Sequence, residues 1–187
     1  EYIFGASQPQ HYQFMKDQYP EIYAKIKEAV KSGNWEVQGG MWVEADCNLI
    51  SGESMVRQLL HGKNFFKDEF DIVVDNLWLP DVFGYSAALP QILKRAGVNY
   101  FLTQKLSWSQ FNDFPHQTFN WRGIDGTEIL THFPPENTYN SELDTEFLLP
   151  AQKGFKEKDR LNEFISLFGV GDGGGGPKPE NIELGRR

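Results

Sequence analysis

Four segments of the sequence combine residue types that suit carbohydrate chemistry. A carboxylate can act as nucleophile, as general acid or as ligand of a hard metal ion, and a flat aromatic ring can stack on the apolar face of a pyranose. Carboxylates and aromatic rings dominate residues 39–46, 76–86, 103–105 and 171–176. If the fold brings these segments to one opening, their residue types favour a carbohydrate as the ligand.

The predicted elements around these segments alternate between strands and helices. Apolar residues at helical spacing predict helices over residues 10–32 with a break at Pro20, after the N-cap residue Ser51, and over residues 89–96. The helix after Ser51 is expected to bury Met55, Val56, Leu59 and Leu60. The predicted strands cover residues 1–4, 35–38, 70–74 and 99–103. This alternation is typical of a parallel α/β fold, in which the carboxyl ends of the strands form one rim.

The pattern changes in the second half of the chain. Two short runs, Thr118–Trp121 and Glu128–His132, are joined by a turn at Asp125–Gly126 and predict a β-hairpin. We expect a long loop over residues 134–151 and a helix over residues 161–168.

Composition and charge exclude several classes of partner. The formal net charge is -8 over 187 residues and no Lys/Arg stripe is present, which argues against nucleic acid. No apolar run approaches the roughly 20 residues that span a bilayer, so no membrane partner is expected. A single cysteine, Cys47, excludes an intrachain disulfide and a thiolate zinc cage, and favours a reducing, cytoplasmic location.

The segment from Trp78 to Ser86, followed by residues 89–93, closely resembles the nucleophile segment of glycoside hydrolase family 38, the α-mannosidases. Three further stretches resemble the same family in the same order, namely residues 39–54, 132–135 and the glycine run that begins at Gly171-Asp172. The resemblance implies that residues 1–187 are an internal fragment of the catalytic domain, an α/β fold with a partial parallel (β/α) barrel of the seven-stranded type.

The resemblance also implies individual roles. Asp81 would be both the nucleophile and a zinc ligand, and Asp172 is the candidate general acid, with a turn-supporting role as the alternative. Some relatives carry Gly-Asp-Asp here, whereas this chain has Gly173, so the acid could also lie elsewhere. The substrate-binding candidates are Trp78, Lys105, Tyr139 and Asn140. Better-known members have Asp at the position of Asn140, so a charged role is not expected there.

The remaining zinc ligands would lie outside this chain. The family's opening His-x-Asp motif and its distal histidine, both zinc ligands, have no counterpart in the sequence. We therefore expect the isolated fragment to bind Zn²⁺ poorly and to be inactive.

The predicted activity is hydrolysis of terminal α-linked mannose from a mannose-containing oligosaccharide, with retention of configuration at the anomeric carbon. The full-length protein could also form a homo-oligomer, which the sequence leaves open. One alternative is a metal-dependent carbohydrate deacetylase. Measuring acetate release and mannoside cleavage side by side would distinguish the two activities. The sequence contains no His-x-x-x-His pair, which counts against the deacetylase. A non-catalytic carbohydrate-binding fragment is the other, which calorimetry with mannose and zinc would test.

Overall fold

The computed structural model describes residues 2–171 and 175–186 as a mixed α/β unit. The helices are α1 (Pro9–Gln18), α2 (Pro20–Lys31), α3 (Gly52–Phe70), α4 (Leu89–Arg95), α5 (Thr145–Gly154) and α6 (Pro179–Gly185). The strands are β1 (Phe4–Ala6), β2 (Trp35–Val37), β3 (Asn76–Leu79), β4 (Tyr100–Thr103), β5 (Thr118–Arg122) and β6 (Glu128–His132). Among the described residues, none of the helices has both the length and the apolar character needed to cross a membrane.

The helices of the first half begin where the sequence predicts. Pro20 opens α2 and separates it from α1, because proline lacks the N–H that a continuous helix would need there. Ser51 caps α3, and its hydroxyl accepts a hydrogen bond from the Ser54 amide at 3.2 Å. Both predictions are confirmed.

The described strands form two sheets. One contains β1 and β2 in parallel, and the other has the order β3-β4-β6-β5, in which β3, β4 and β6 are parallel and β5 is antiparallel to β6. The parallel arrangement and the hairpin are confirmed. Within residues 2–171 and 175–186 the strands do not close into a barrel, and the seven-stranded barrel remains a prediction for the intact domain.

The register of the larger sheet determines where its loops emerge. Leu79 of β3 pairs with Thr103 of β4, and Leu102 of β4 pairs with His132 of β6. The residues that follow these three strands therefore leave the sheet at one edge, as expected for parallel strands.

Two apolar clusters hold the unit together. The first packs α3 and α4 on the larger sheet, and its most buried members are Leu59, Leu77, Leu79, Leu89, Leu93, Val98 and Ile129. The second is largely aromatic and joins α1, α2 and β2 to the end of α3 through Tyr12, Tyr23, Val37, Phe65 and Phe66. Each helix that flanks a sheet thus buries one face against it.

The predicted strand at residues 70–74 is wrong. Phe70 is the last residue of α3, and Asp71 ends the helix in the left-handed conformation with φ 58°. Val73 is 66% exposed, and the strand begins only at Asn76. Residues 71–75 therefore connect helix α3 to strand β3 and form no strand themselves.

Three other expectations are also corrected. Helix α5 begins inside the predicted loop, with Asp144 as its N-cap, and continues past residue 151 to Gly154. Residues 161–168 contain no helix, although Phe168 forms a parallel bridge with Ser141. In α3, Met55 and Leu59 are buried as expected, whereas Val56 and Leu60 are 47% and 52% exposed. These two residues lie on the helix face that the described residues leave uncovered.

Candidate active site

A cleft of about 1010 Å³ opens at the edge of the sheet where β3 ends. Its wall contains four of the residues singled out in the sequence, namely Trp78, Asp81, Tyr139 and Asn140. Trp78 lies within β3, Asp81 follows that strand, and Tyr139 and Asn140 lie on the segment after β6. The parallel strand order therefore brings these side chains to one opening.

Asp81 and Lys105 form an ion pair at this edge. The Lys105 ammonium lies 2.8 Å from Asp81 Oδ1, and the two residues follow the neighbouring strands β3 and β4. The lysine side chain is only 3% exposed, whereas the aspartate side chain is 47% exposed. The lysine thus holds the carboxylate from the protein side, while the carboxylate remains accessible from the cleft.

Three aromatic rings surround the same ammonium group. Its nitrogen lies 3.5 Å from the ring centroid of Trp108, 4.8 Å from that of Phe83 and 5.0 Å from that of Tyr139. Contacts of this kind attract a cation to the face of the ring. Sequence analysis identified Lys105 and Tyr139 but missed Phe83 and Trp108, which have no regular spacing that would mark them.

Tyr85 fixes the turn that carries Asp81. Its hydroxyl oxygen lies 3.0 Å and 2.9 Å from the carbonyl oxygens of Leu79 and Val82, and 2.6 Å from Thr103 Oγ1. Burial raises the pKa of Tyr85, so this hydroxyl stays protonated. The Tyr85 hydroxyl therefore links β3, the turn after it and the end of β4 through hydrogen bonds.

Glu44 is a second carboxylate in the wall of the cleft. Its Oε1 accepts a hydrogen bond from the Ser7 hydroxyl at 2.6 Å. Burial raises the pKa of Glu44, and the negative charge of Asp81 adds to this effect. Asp46, by contrast, accepts hydrogen bonds from the amides of Asn48 and Leu49 and supports the loop.

Tyr139 and Asn140 pack closely against Gly171. A Cβ atom at Gly171 would lie 2.1 Å from Tyr139 Cε2 and 2.8 Å from Asn140 Oδ1, so this approach requires glycine. Burial and the charge of Asp81 raise the pKa of Tyr139. Asp172, the predicted general acid, follows Gly171 in sequence and lies outside the described residues.

The described residues do not form a zinc site by themselves. Structural and catalytic zinc sites use three or four protein ligands. Within residues 2–171 and 175–186, there is no group of three or more His, Cys, Asp or Glu side chains that could hold a metal ion. Asp81 has the exposure a single ligand would need, but a complete site would require other residues.

The fold resembles that of known glycoside-processing proteins. An alpha-mannosidase from Enterococcus faecalis superimposes with a TM-score of 0.70 over 92% of this chain and 20% of that chain, at 21% identity. A 4-alpha-glucanotransferase from Thermococcus litoralis gives a TM-score of 0.56 over 71% of this chain and 21% of that chain, at 15% identity. At these identities the likeness concerns the fold alone.

The sequence comparisons show the family. All of residues 1–187 match the family described as the glycosyl hydrolases family 38 N-terminal domain, and the chain belongs to this family. Alpha-mannosidase G of Dictyostelium discoideum is 51% identical over 98% of the chain, and Alpha-mannosidase 2C1 of Homo sapiens is 50% identical over all of it. The chain spans only 17% and 18% of the length of these two relatives.

Proposed function

We propose that the protein containing this chain hydrolyses terminal α-linked mannose with retention of configuration, and that Asp81 is its nucleophile. The relatives that cover the chain at about 50% identity are named alpha-mannosidases. Family membership also favours glycoside hydrolysis over deacetylation. The proposal includes a mannose-containing oligosaccharide as substrate and, from the lone cysteine, a cytoplasmic location.

One observation carries the assignment of Asp81. Its carboxylate is half-exposed in the wall of the cleft, and the buried Lys105 holds it at 2.8 Å from the other side. A nucleophile must be both oriented and accessible to the anomeric carbon. Glu44 is less accessible than Asp81, because its carboxylate is partly buried and accepts a hydrogen bond from Ser7.

In the proposed reaction, an Asp81 oxygen attacks the anomeric carbon and the bond to the leaving-group oxygen breaks. A second carboxylic acid, which we assign to Asp172, gives its proton to that oxygen. The same carboxylate then takes a proton from water, which attacks the anomeric carbon and releases Asp81. Trp78, Tyr139 and Asn140 line the cleft and would contact the sugar.

Zinc is part of the proposal only as a partner of Asp81. The further ligands would have to be residues other than the described ones, which offer no complete site. Bound zinc would supply a Lewis acid for the hydroxyl groups of the sugar.

The test uses the full-length protein and its Asp81→Asn variant. Asparagine has nearly the same shape but is not a nucleophile, so we expect mannoside hydrolysis to fall by at least about a thousandfold. A fluorinated mannoside should trap the covalent intermediate in the unaltered protein, and peptide mass spectrometry should map the label to Asp81. Unchanged release of mannose by the variant, or a label on another residue, would overturn the assignment.

A further inference from the structure

Trp108 is an exposed aromatic residue beside the ion pair, and it takes no part in the proposed reaction. It follows the short 3₁₀ turn Lys105–Ser107 and is 59% exposed. It does not contribute to the wall of the cleft that contains Asp81. An exposed indole costs solvation free energy, so an exposed indole that is held beside the Asp81–Lys105 ion pair suggests a binding surface.

The Trp108 ring is held in one orientation. Its indole N–H donates to the carbonyl oxygen of Asn137 at 3.3 Å, and the same oxygen accepts from the buried Gln104 amide at 2.5 Å. The Lys105 ammonium covers one face, 3.5 Å from the centroid. Phe83 lies beside the ring at a centroid distance of 6.5 Å and an interplanar angle of 69°. A ring fixed in this way loses little side-chain entropy when a ligand stacks on it.

Lys105 also determines how far Trp108 lies from the nucleophile. The ammonium is 2.8 Å from Asp81 Oδ1 and 3.5 Å from the Trp108 centroid, so carboxylate and ring can be no farther apart than these two distances combined. An anomeric carbon attacked by Asp81 Oδ1 lies about 3 to 3.5 Å from that oxygen, so it is no more than about 10 Å from the Trp108 ring centroid. The next sugar of an oligosaccharide can span that distance.

We propose that Trp108 is the stacking platform for the leaving-group sugar, the ring attached to the mannose that Asp81 attacks. This inference rests on the proposed function and extends it to substrate preference. Phe83 borders the platform, and it is 61% exposed. Pyranose rings present C–H groups on one face, and an indole is the largest flat surface that can receive them.

The experiment compares two substrates in the full-length protein. One is an α-linked mannobiose, whose leaving group is a sugar ring, and the other is α-mannosyl fluoride, whose leaving group is an ion without a ring. For Trp108→Ala we expect kcat/KM for mannobiose to fall about tenfold, and kcat/KM for the fluoride to change less than about twofold. Trp108→Phe keeps a smaller ring and should lose only about threefold on mannobiose.

Each other outcome has a definite meaning. If Trp108→Ala lowered kcat/KM equally for both substrates, Trp108 would act only through Lys105 and Asp81. If the variant kept the kcat/KM of the unaltered protein for both substrates, no sugar would stack on Trp108. Either result overturns the proposal. Phe14→Ala, which removes a 45% exposed ring on α1, is the control and should leave both substrates unaffected. If Asp81→Asn retained full activity on the fluoride, the proposed function itself would fail, whatever Trp108 does.

Discussion

His132 gives the fold a pH dependence with a definite sign. It ends β6, and its Nε2 accepts from the amide of Ile165 at 3.5 Å, which leaves the proton on Nδ1 for the Thr118 hydroxyl at 2.8 Å. Burial lowers the pKa of His132 to about 4, against a weaker opposing effect of Glu157. The folded chain therefore keeps this imidazole neutral where an exposed histidine would take up a proton.

The magnitude follows from the two pKa values. An exposed histidine has a pKa of about 6.5, and one pKa unit corresponds to about 1.4 kcal/mol. Above pH 6.5 the residue is neutral in both the packed and the opened form and does not affect their balance. Between pH 6.5 and about 4 only the opened form binds the proton, so opening becomes easier as the pH falls. From pH 7 to pH 5 this amounts to about 2 kcal/mol, or roughly a thirtyfold change in the opening equilibrium.

Hydrogen exchange with mass spectrometry on the full-length protein measures this opening. After correction for the intrinsic rate, peptides that contain Ile165 should lose about thirtyfold in protection from pH 7 to pH 5, whereas core peptides of α3 should not. His132→Gln keeps a neutral acceptor and should show no such loss. His61→Gln, at an exposed position on α3, is the matched control and should behave like the unaltered protein. The reasoning would be refuted by equal protection at both pH values, or by a His132→Gln variant that responds as strongly as the parent.

Two further predictions concern Lys105 and Cys47. Lys105→Met removes the ammonium that orients Asp81 and keeps most of the buried side chain, so kcat/KM for mannoside hydrolysis should fall about a hundredfold with a nearly unchanged melting temperature. Lys105→Arg keeps the positive charge and should lose less activity. A methionine variant with unchanged kcat/KM would show that the ion pair has no catalytic role. Burial raises the pKa of the Cys47 thiol to about 11, so iodoacetamide should label it slowly at pH 8 in the folded protein and rapidly in denaturant. Rapid labelling of the folded protein would contradict the buried position.

The sequence predicted much of the α/β architecture because apolar spacing and capping are local properties. Helices α1 to α4, strand β4 and the β5–β6 hairpin lie close to where periodicity and turn residues place them. The strand prediction for residues 70–74 was wrong because a run of β-branched residues has the pattern of a buried strand whether or not it pairs with a neighbouring strand. Whether α3 continues to Phe70 depends on aromatic packing with Tyr12 and Tyr23, which no local pattern contains.

For the candidate site, motif order located Asp81 and Lys105 but could not show that they form an ion pair. Their contact depends on the register of β3 against β4, which is a property of the sheet. Trp108 was missed for the same reason, since only the folded structure places its ring over the Lys105 ammonium. Residue types thus indicated the chemistry, whereas the pairings required the tertiary structure.

The strand–helix–strand unit β3-α4-β4 contains both members of the ion pair. Asp81 follows its first strand and Lys105 follows its last, so their contact closes a short loop of chain and needs no distant segment. During synthesis this unit can therefore form without waiting for segments that lie far along the chain. Asp81 and Lys105 would then be in place early, and later parts of the chain would assemble around them.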